Sequence, residues 1–221
     1  MDDFSINGEL LRDTLDKLAA INRWLGGNKV TIEGLKQLLR TSSKEMPLTI
    51  IDLGCGGGDI LRDVAKYGRK NGFNFNLIGI DANEDAVIYA RELSVDYPEI
   101  SYRHINIFAD GFKAIEYDVI LTTLFLHHFN QEQLVDLLSD LLKKARLGIV
   151  VNDLHRNALA YYLFRLLCTV IPNKMVKEDG LTSVLKGFKR KELATLSSLI
   201  QVKPNIKWKW AFRYQWIINK D

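Results

Sequence analysis

The chain has 221 residues, 47% hydrophobic and 26% charged, proportions of a globular protein that exclude a disordered or fibrous chain. Its two cysteines, Cys55 and Cys168, exclude a disulfide framework and suit a reducing cytoplasm, while "MDDFS" is acidic where a secretory signal is basic and no spanning apolar run follows. The net charge of +3 is lopsided: residues 1–140 carry 14 basic and 22 acidic side chains and residues 141–221 carry 16 and 5, which marks either a solvated basic surface or a face for nucleic acid or anionic membrane.

In chain order, Leu10, Leu11, Leu15, Leu18, Ile21 and Leu25 recur at helical spacing from Phe4 onward, followed by "GGN" and then Ile32, Leu35, Leu38 and Leu39 up to Arg40. This predicts two helices joined by a glycine turn, an N-terminal cap over residues 1–46, with the core of a single structural domain over 47–221. After Pro47 the rhythm changes to five short apolar runs, "LTIIDLG", "NLIGID", "SYRHINIF", "DVILTTLF" and "LGIVVND". Helical patterns separate them at Asp59–Tyr67, Glu84–Val95 and Gln131–Arg146. Such alternation predicts βαβ units in a parallel, doubly wound sheet. A largely apolar helix is expected over Leu154–Ile171, then a helix over Lys189–Leu199 and two closing strands, "NIKWKWAF" and "RYQWIIN".

The stretch "IIDLGCGGGDIL" places the ligand loop after the first strand, because the crevice of such a sheet lies beyond the carboxyl ends of its strands. A dinucleotide fingerprint starting at Gly54 and Gly56 requires glycine at position 59, where Asp59 stands. The pattern Asp52-x-Gly54-x-Gly56-x-Gly58, with Cys55 inside it, resembles the first motif of the class I S-adenosylmethionine-dependent methyltransferases, and the likeness continues for about 100 residues. It implies a Rossmann-like fold, mostly parallel with an antiparallel C-terminal strand and helices on both faces. The glycine loop would lie against the amino-acid end of S-adenosylmethionine, and Asp52 would steady the loop or the ammonium. Asp81 would hold the two ribose hydroxyls, with Ala82 and Asn83 flanking the adenosine. Asn106 stands where the family usually has an acid for the adenine amino group, and Ile107 would cover the ring. Thr122, at the end of the fourth strand, completes the expected cofactor set.

The fourth strand runs out through Thr122, Thr123, Leu124, Phe125 and Leu126 to His127 and His128. In the resemblance, this exit lines the space between methyl donor and acceptor. It lacks the Asn/Asp-Pro-Pro-aromatic turn of amine methylation. Metal-dependent catechol-type relatives need carboxylates after both the fourth and fifth strands. Asp153 supplies the second, but threonines occupy the first, so no metal is expected. A hydroxyl acceptor needs a base, and histidine suits that task near neutral pH. His127, His128 and His155 are the candidates, with Asp153 either orienting one of them or capping the next helix. His104, inside the third strand, reads as structural.

Three readings compete for Leu154–Ile171: packing against the N-terminal helices, lining for a flat or greasy acceptor, or a peripheral membrane contact. "KWKWAFRYQW" reads as a half-buried strand with Trp on one face and Lys on the other, rather than an RNA platform. "INRWLGG", "NDLHRNALAY" and "DGLTSVLKGFKRKEL" resemble bacterial small-molecule methyltransferases of quinone and polyketide type. The reading is methyl transfer to a small, fairly apolar acceptor, at the hydroxyl oxygen of an aromatic or polyketide-like compound. Carbon methylation of a quinone precursor, RNA methylation and a non-catalytic partner subunit are the alternatives.

Overall fold

The computed structural model describes residues 7–169 and 173–220. Parts of two expectations, the acidic "MDDFS" start and Val170–Ile171 of the apolar helix, lie outside the described residues. The elements run α1 (Gly8–Trp24), α2 (Gly27–Leu38), β1 (Leu48–Leu53), α3 (Asp59–Asn71), β2 (Phe75–Asp81), α4 (Glu84–Glu92), β3 (Ile100–His104) and α5 (Asp110–Lys113). They continue with β4 (Val119–Thr123), α6 (Gln131–Lys144), β5 (Gly148–Leu154), α7 (Ala158–Leu167), α8 (Lys174–Lys186), α9 (Arg190–Leu199), β6 (Asn205–Lys209) and β7 (Arg213–Asn219). A short 3₁₀ turn at Leu126–His128 joins β4 to α6.

The seven strands form one sheet in the order β3-β2-β1-β4-β5-β7-β6. β1 to β5 pair in parallel, and β7 runs antiparallel to both β5 and β6. Strand alternation sends neighbouring residues to opposite faces. Ile51, Leu53, Ile120, Ile149, Val151 and Trp216 join a core with Leu134, Leu138 and Leu141 of α6 and Leu193 and Leu196 of α9. Ile50, Leu77, Val119, Leu121, Val150 and Ile217 join one on the other face with α2, α3 and α4. The order reverses between β1 and β4, so the crevice opens over the exits of those two strands.

α2 lies directly on the sheet. The Asn152 amide donates to the carbonyl of Gly27 and to Thr31 Oγ1, each at 2.9 Å, and the Gln215 amide donates to the Val30 carbonyl. Gly34 permits the close approach, since a Cβ there would stand 2.4 Å from Val150 Cγ1. α1 packs Leu11 and Leu15 on Ala86 and Tyr89 of α4, and Tyr89 donates to Asp16.

Two expectations are corrected. Leu154 ends β5 rather than opening the apolar helix, and the cap of α7 is Asn157, whose side chain accepts from Leu159 and Ala160. β6 is the sheet's edge, so "NIKWK" buries only Ile206 and leaves Trp208 48% exposed. Lys207 and Lys209 instead reach Gln37 and Glu33 of α2.

Candidate active site

The loop after β1 takes left-handed backbone at Gly54 (φ 67°), Gly56 (φ 49°) and Gly58 (φ 74°), which residues with a Cβ adopt at a cost. Space is also short, since a Cβ on Gly54 would meet the Phe125 ring at 2.4 Å and one on Gly58 the Tyr102 hydroxyl at 2.1 Å. Gly57 is not left-handed, and a Cβ there would meet nothing nearer than 3.9 Å. Cys55 is buried, and burial together with Asp81 and Asp52 pushes its thiol well up, so it stays protonated.

Three carboxylates gather around this loop. Asp81 at the end of β2 accepts the amides of Gly56 and Asn83, both at 2.9 Å. Burial nevertheless raises its pKa, those amide contacts acting in the other direction. Asp52 is 2% exposed and its Oδ1 has no hydrogen-bond partner. Burial, and then the charges of Asp59 and Asp81, push Asp52 well above the usual carboxylate range. Asp59, at the head of α3, and Asp63 accept from the Asn28 amide, whose own oxygen accepts from Asn22.

At the exits of β4 and β5 the structure brings His127 and Asp153 together. His127 Nδ1 lies 2.7 Å from Asp153 Oδ1, and both side chains are buried. Asp153 Oδ2 accepts the amides of Leu126 and His127, and Oδ1 that of Leu154. Burial alone would raise this carboxyl, but His127 and the amides hold it below the usual value. An ionised carboxylate only accepts, so Nδ1 donates to it and Nε2 is the nitrogen left for another partner. That Nε2 is buried without a partner. The His128 ring stands 4.2 Å from that of His127. The His155 ring lies tilted against that of Tyr214, and burial and then Lys189 lower its pKa, so it is neutral at pH 7.

A cavity of about 680 Å³ joins the two regions, lined by Asp52, Gly54 to Gly57 and Asp59 on one side and by Thr123, His127, His128, His155 and Arg213 on the other. Leu15, Leu18, Ile21 and Trp24 of α1 and Leu163, Phe164, Leu166 and Leu167 of α7 complete its walls. Packing against the N-terminal helices is thus not the main fate of α7, since Leu159, Tyr162, Leu163 and Leu166 remain exposed and only Ala160 is buried. Asp81, Ala82, Asn83, Asn106, Ile107 and Thr122 are not among the residues lining this cavity. Thr122 is fully buried within β4, because strand alternation presents Thr123 instead. Asn106 is exposed and its side-chain oxygen already accepts the Phe108 amide at 3.0 Å. His104 ends β3 exposed, 3.0 Å from the Ala82 carbonyl. Sequence reasoning missed Arg213, Asn22 and the α1 wall, which carry no local motif; a basic residue opening an otherwise apolar strand was the one visible hint.

Residues 50–148 match the model of a methyltransferase domain. The chain is 33% identical over 103 residues to a ubiquinone biosynthesis O-methyltransferase of Hydrogenovibrio crunogenus, a match covering 46% of this chain and 39% of that relative. The chain therefore spans about two fifths of the length of that curated relative. Among solved structures, the plantazolicin methyltransferase BpumL in complex with S-adenosylhomocysteine superposes with a TM-score of 0.69 at 19% identity, over 94% of this chain and 89% of that one. The magnesium protoporphyrin IX methyltransferase of Synechocystis PCC 6803 does so with a TM-score of 0.58 at 12% identity, over 92% and 84%. These last two likenesses are of fold. Residues 50–148 are thus similar to a methyltransferase domain, and the chain shares the overall fold of these two solved methyltransferases.

Proposed function

We propose that this protein transfers a methyl group from S-adenosylmethionine to the hydroxyl oxygen of a small, largely apolar acceptor, with His127 as the base. The observation that carries the reading is the buried His127–Asp153 pair, in which His127 Nε2 has no partner and His127 is among the residues lining the cavity shared with the glycine loop.

The donor's binding groups fit this chain. An ammonium would satisfy the buried, unpartnered Asp52 carboxylate and return it to its ionised form. The four glycines of the Gly54–Gly58 loop, where the one side chain, Cys55, is buried, give a ligand direct access to backbone. Asp81 retains acceptor capacity for the ribose hydroxyls beyond the two amides it holds. The adenosine contacts assigned to Ala82, Asn83, Asn106 and Ile107 require the Asn106 turn to release its oxygen or to accept twice. When bound, S-adenosylmethionine supplies an electrophilic methyl group on a sulfonium, whose departure leaves a neutral thioether.

The rest is alignment and proton removal by the chain. A phenol, with a pKa of about 10, is a poor nucleophile at neutral pH. His127 Nε2 takes the hydroxyl proton as the oxygen–methyl bond forms, and Asp153 holds the resulting imidazolium through Nδ1. Leu18, Ile21, Leu163 and Leu167 supply apolar wall for the acceptor and keep water from the reacting oxygen.

Calorimetric titration with S-adenosylmethionine, its demethylated product and NAD, followed by a screen of phenols and quinols with radiolabelled methyl donor, tests the reading. Binding of the first two and label on oxygen are expected. Preference for NAD removes the cofactor assignment, label on carbon replaces the base chemistry, and label in RNA alone replaces the acceptor class.

A further inference from the structure

Arg213 opens β7 opposite Leu154 of β5 and is 3% exposed. Its Nε and Nη1 are buried without hydrogen-bond partners. No carboxylate forms an ion pair with it among the described residues; Asp153, whose charge acts on it, is already engaged by His127. Burial depresses its pKa to about 10. A guanidinium stripped of water and left unpaired is costly, so a chain retains one where a ligand completes it.

The surroundings are built to hold this side chain in place. A Cβ on Gly27 would stand 2.9 Å from the guanidinium carbon and 1.9 Å from Asn22 Oδ1, so only glycine leaves room for both. Arg213 is the one lysine or arginine among the described residues that line the cavity. Its strand position sets it opposite Leu154 and next to Phe212, whose carbonyl accepts the His155 amide. The glycine loop follows β1, which lies three strand spacings from β7, about 14 Å at ordinary spacing. The strand that carries Arg213 is thus set apart from the glycine loop, while its guanidinium reaches back over Gly27 toward Asn22.

We propose that the methyl acceptor is an acid whose carboxylate pairs with Arg213 while its hydroxyl faces His127. This rests on the preceding assignment of the cavity to an acceptor. The planar fork of a guanidinium matches a carboxylate with two parallel hydrogen bonds, and the apolar walls leave that pairing largely dry. The acceptor class narrows from any phenol or alcohol to a hydroxy acid, with an apolar body between the two groups.

The test is a binding comparison that needs no turnover. Wild-type protein saturated with S-adenosylhomocysteine is titrated with 4-hydroxybenzoate against 4-hydroxybenzamide, and with 4-hydroxycinnamate against its amide. Each acid is expected to bind at least tenfold tighter than its amide. R213M is expected to abolish that preference, to keep S-adenosylhomocysteine affinity within twofold and to melt no lower than wild type; R213K should keep part of the preference. Equal binding of acid and amide by wild type, or binding of neither, overturns the proposal whether or not the variants fold. Loss of S-adenosylhomocysteine affinity in a folded R213M also overturns it, assigning Arg213 to the donor. Failure of the underlying function reads differently, as no methyl transfer and no binding of S-adenosylhomocysteine to wild type.

Discussion

The two ends of the cavity solve the burial of charge in opposite ways. Around the glycine loop, Asp52 is buried with an oxygen unpartnered, and its pKa is pushed up. At the exit of β5, Asp153 is equally buried but accepts three amides and pairs with His127, and its pKa is held down. In the proposed reading, one carboxylate waits for an external cation, whereas the other is completed by the fold and serves a histidine. The comparison teaches that burial alone does not set a role; what matters is whether the chain or a ligand supplies the counter-charge.

Breaking the completed pair should have the largest effect. Asp153→Ala strips His127 of its partner and three amides of their acceptor, and should destabilise the protein by about 3–5 kcal/mol, measured by denaturant titration. His127→Gln leaves the loop intact and should lower methyl transfer about 10²–10⁴-fold, with S-adenosylhomocysteine affinity unchanged by calorimetry. On the donor side, Asp81→Ala should weaken that affinity by about 1–3 kcal/mol, the cost of lost charged hydrogen bonds; an unaltered affinity removes Asp81 from the site.

The opposite pKa directions sharpen the comparison through pH. Asp52, raised in the folded protein, favours the protonated form. Its contribution to stability is present below the ordinary aspartate pKa and is lost as pH rises through the folded value. Asp153, depressed, contributes stability above the ordinary value that is lost as pH falls through the folded one. Asp52→Asn should therefore flatten the decline of melting temperature above the ordinary carboxylate range while weakening donor binding. Asp153→Asn should remove part of the acid-side decline. The smallest effect belongs to the surface: Arg12 and Glu92 form a two-point ion pair between α1 and α4, both exposed. Arg12→Ala should shift the melting temperature barely, consistent with exposed pairs.

The same contrast explains what was legible in the sequence. The proposed donor half is local: Asp52, three alternating glycines and Asp81 follow from two consecutive strands, so spacing alone suggests them. Gly54, Gly56 and Gly58 are needed for left-handed backbone, and Gly57 falls outside that rule. The acceptor half is assembled from α1, β4, β5, α7, α8 and β7, distant in sequence, and its composition shows only as apolar runs. The histidines at the strand exits were visible, but which one meets Asp153 depended on the 3₁₀ turn at Leu126–His128. Arg213 was hidden because a basic residue at a strand's start ordinarily faces solvent, and its burial comes from α2 crossing at Gly27. Thr122 was misplaced by one residue at a strand's end, the smallest error that inverts a side chain.

Methyl transfer by wild type and His127→Gln, measured side by side across pH with the same hydroxyl acceptor and radiolabelled donor, tests the central claim most directly. Expected are O-methylated product from wild type and near-complete loss of product in a variant that still binds S-adenosylhomocysteine. Equal rates from the two proteins, or label on carbon, would contradict the assignment of His127 as the base.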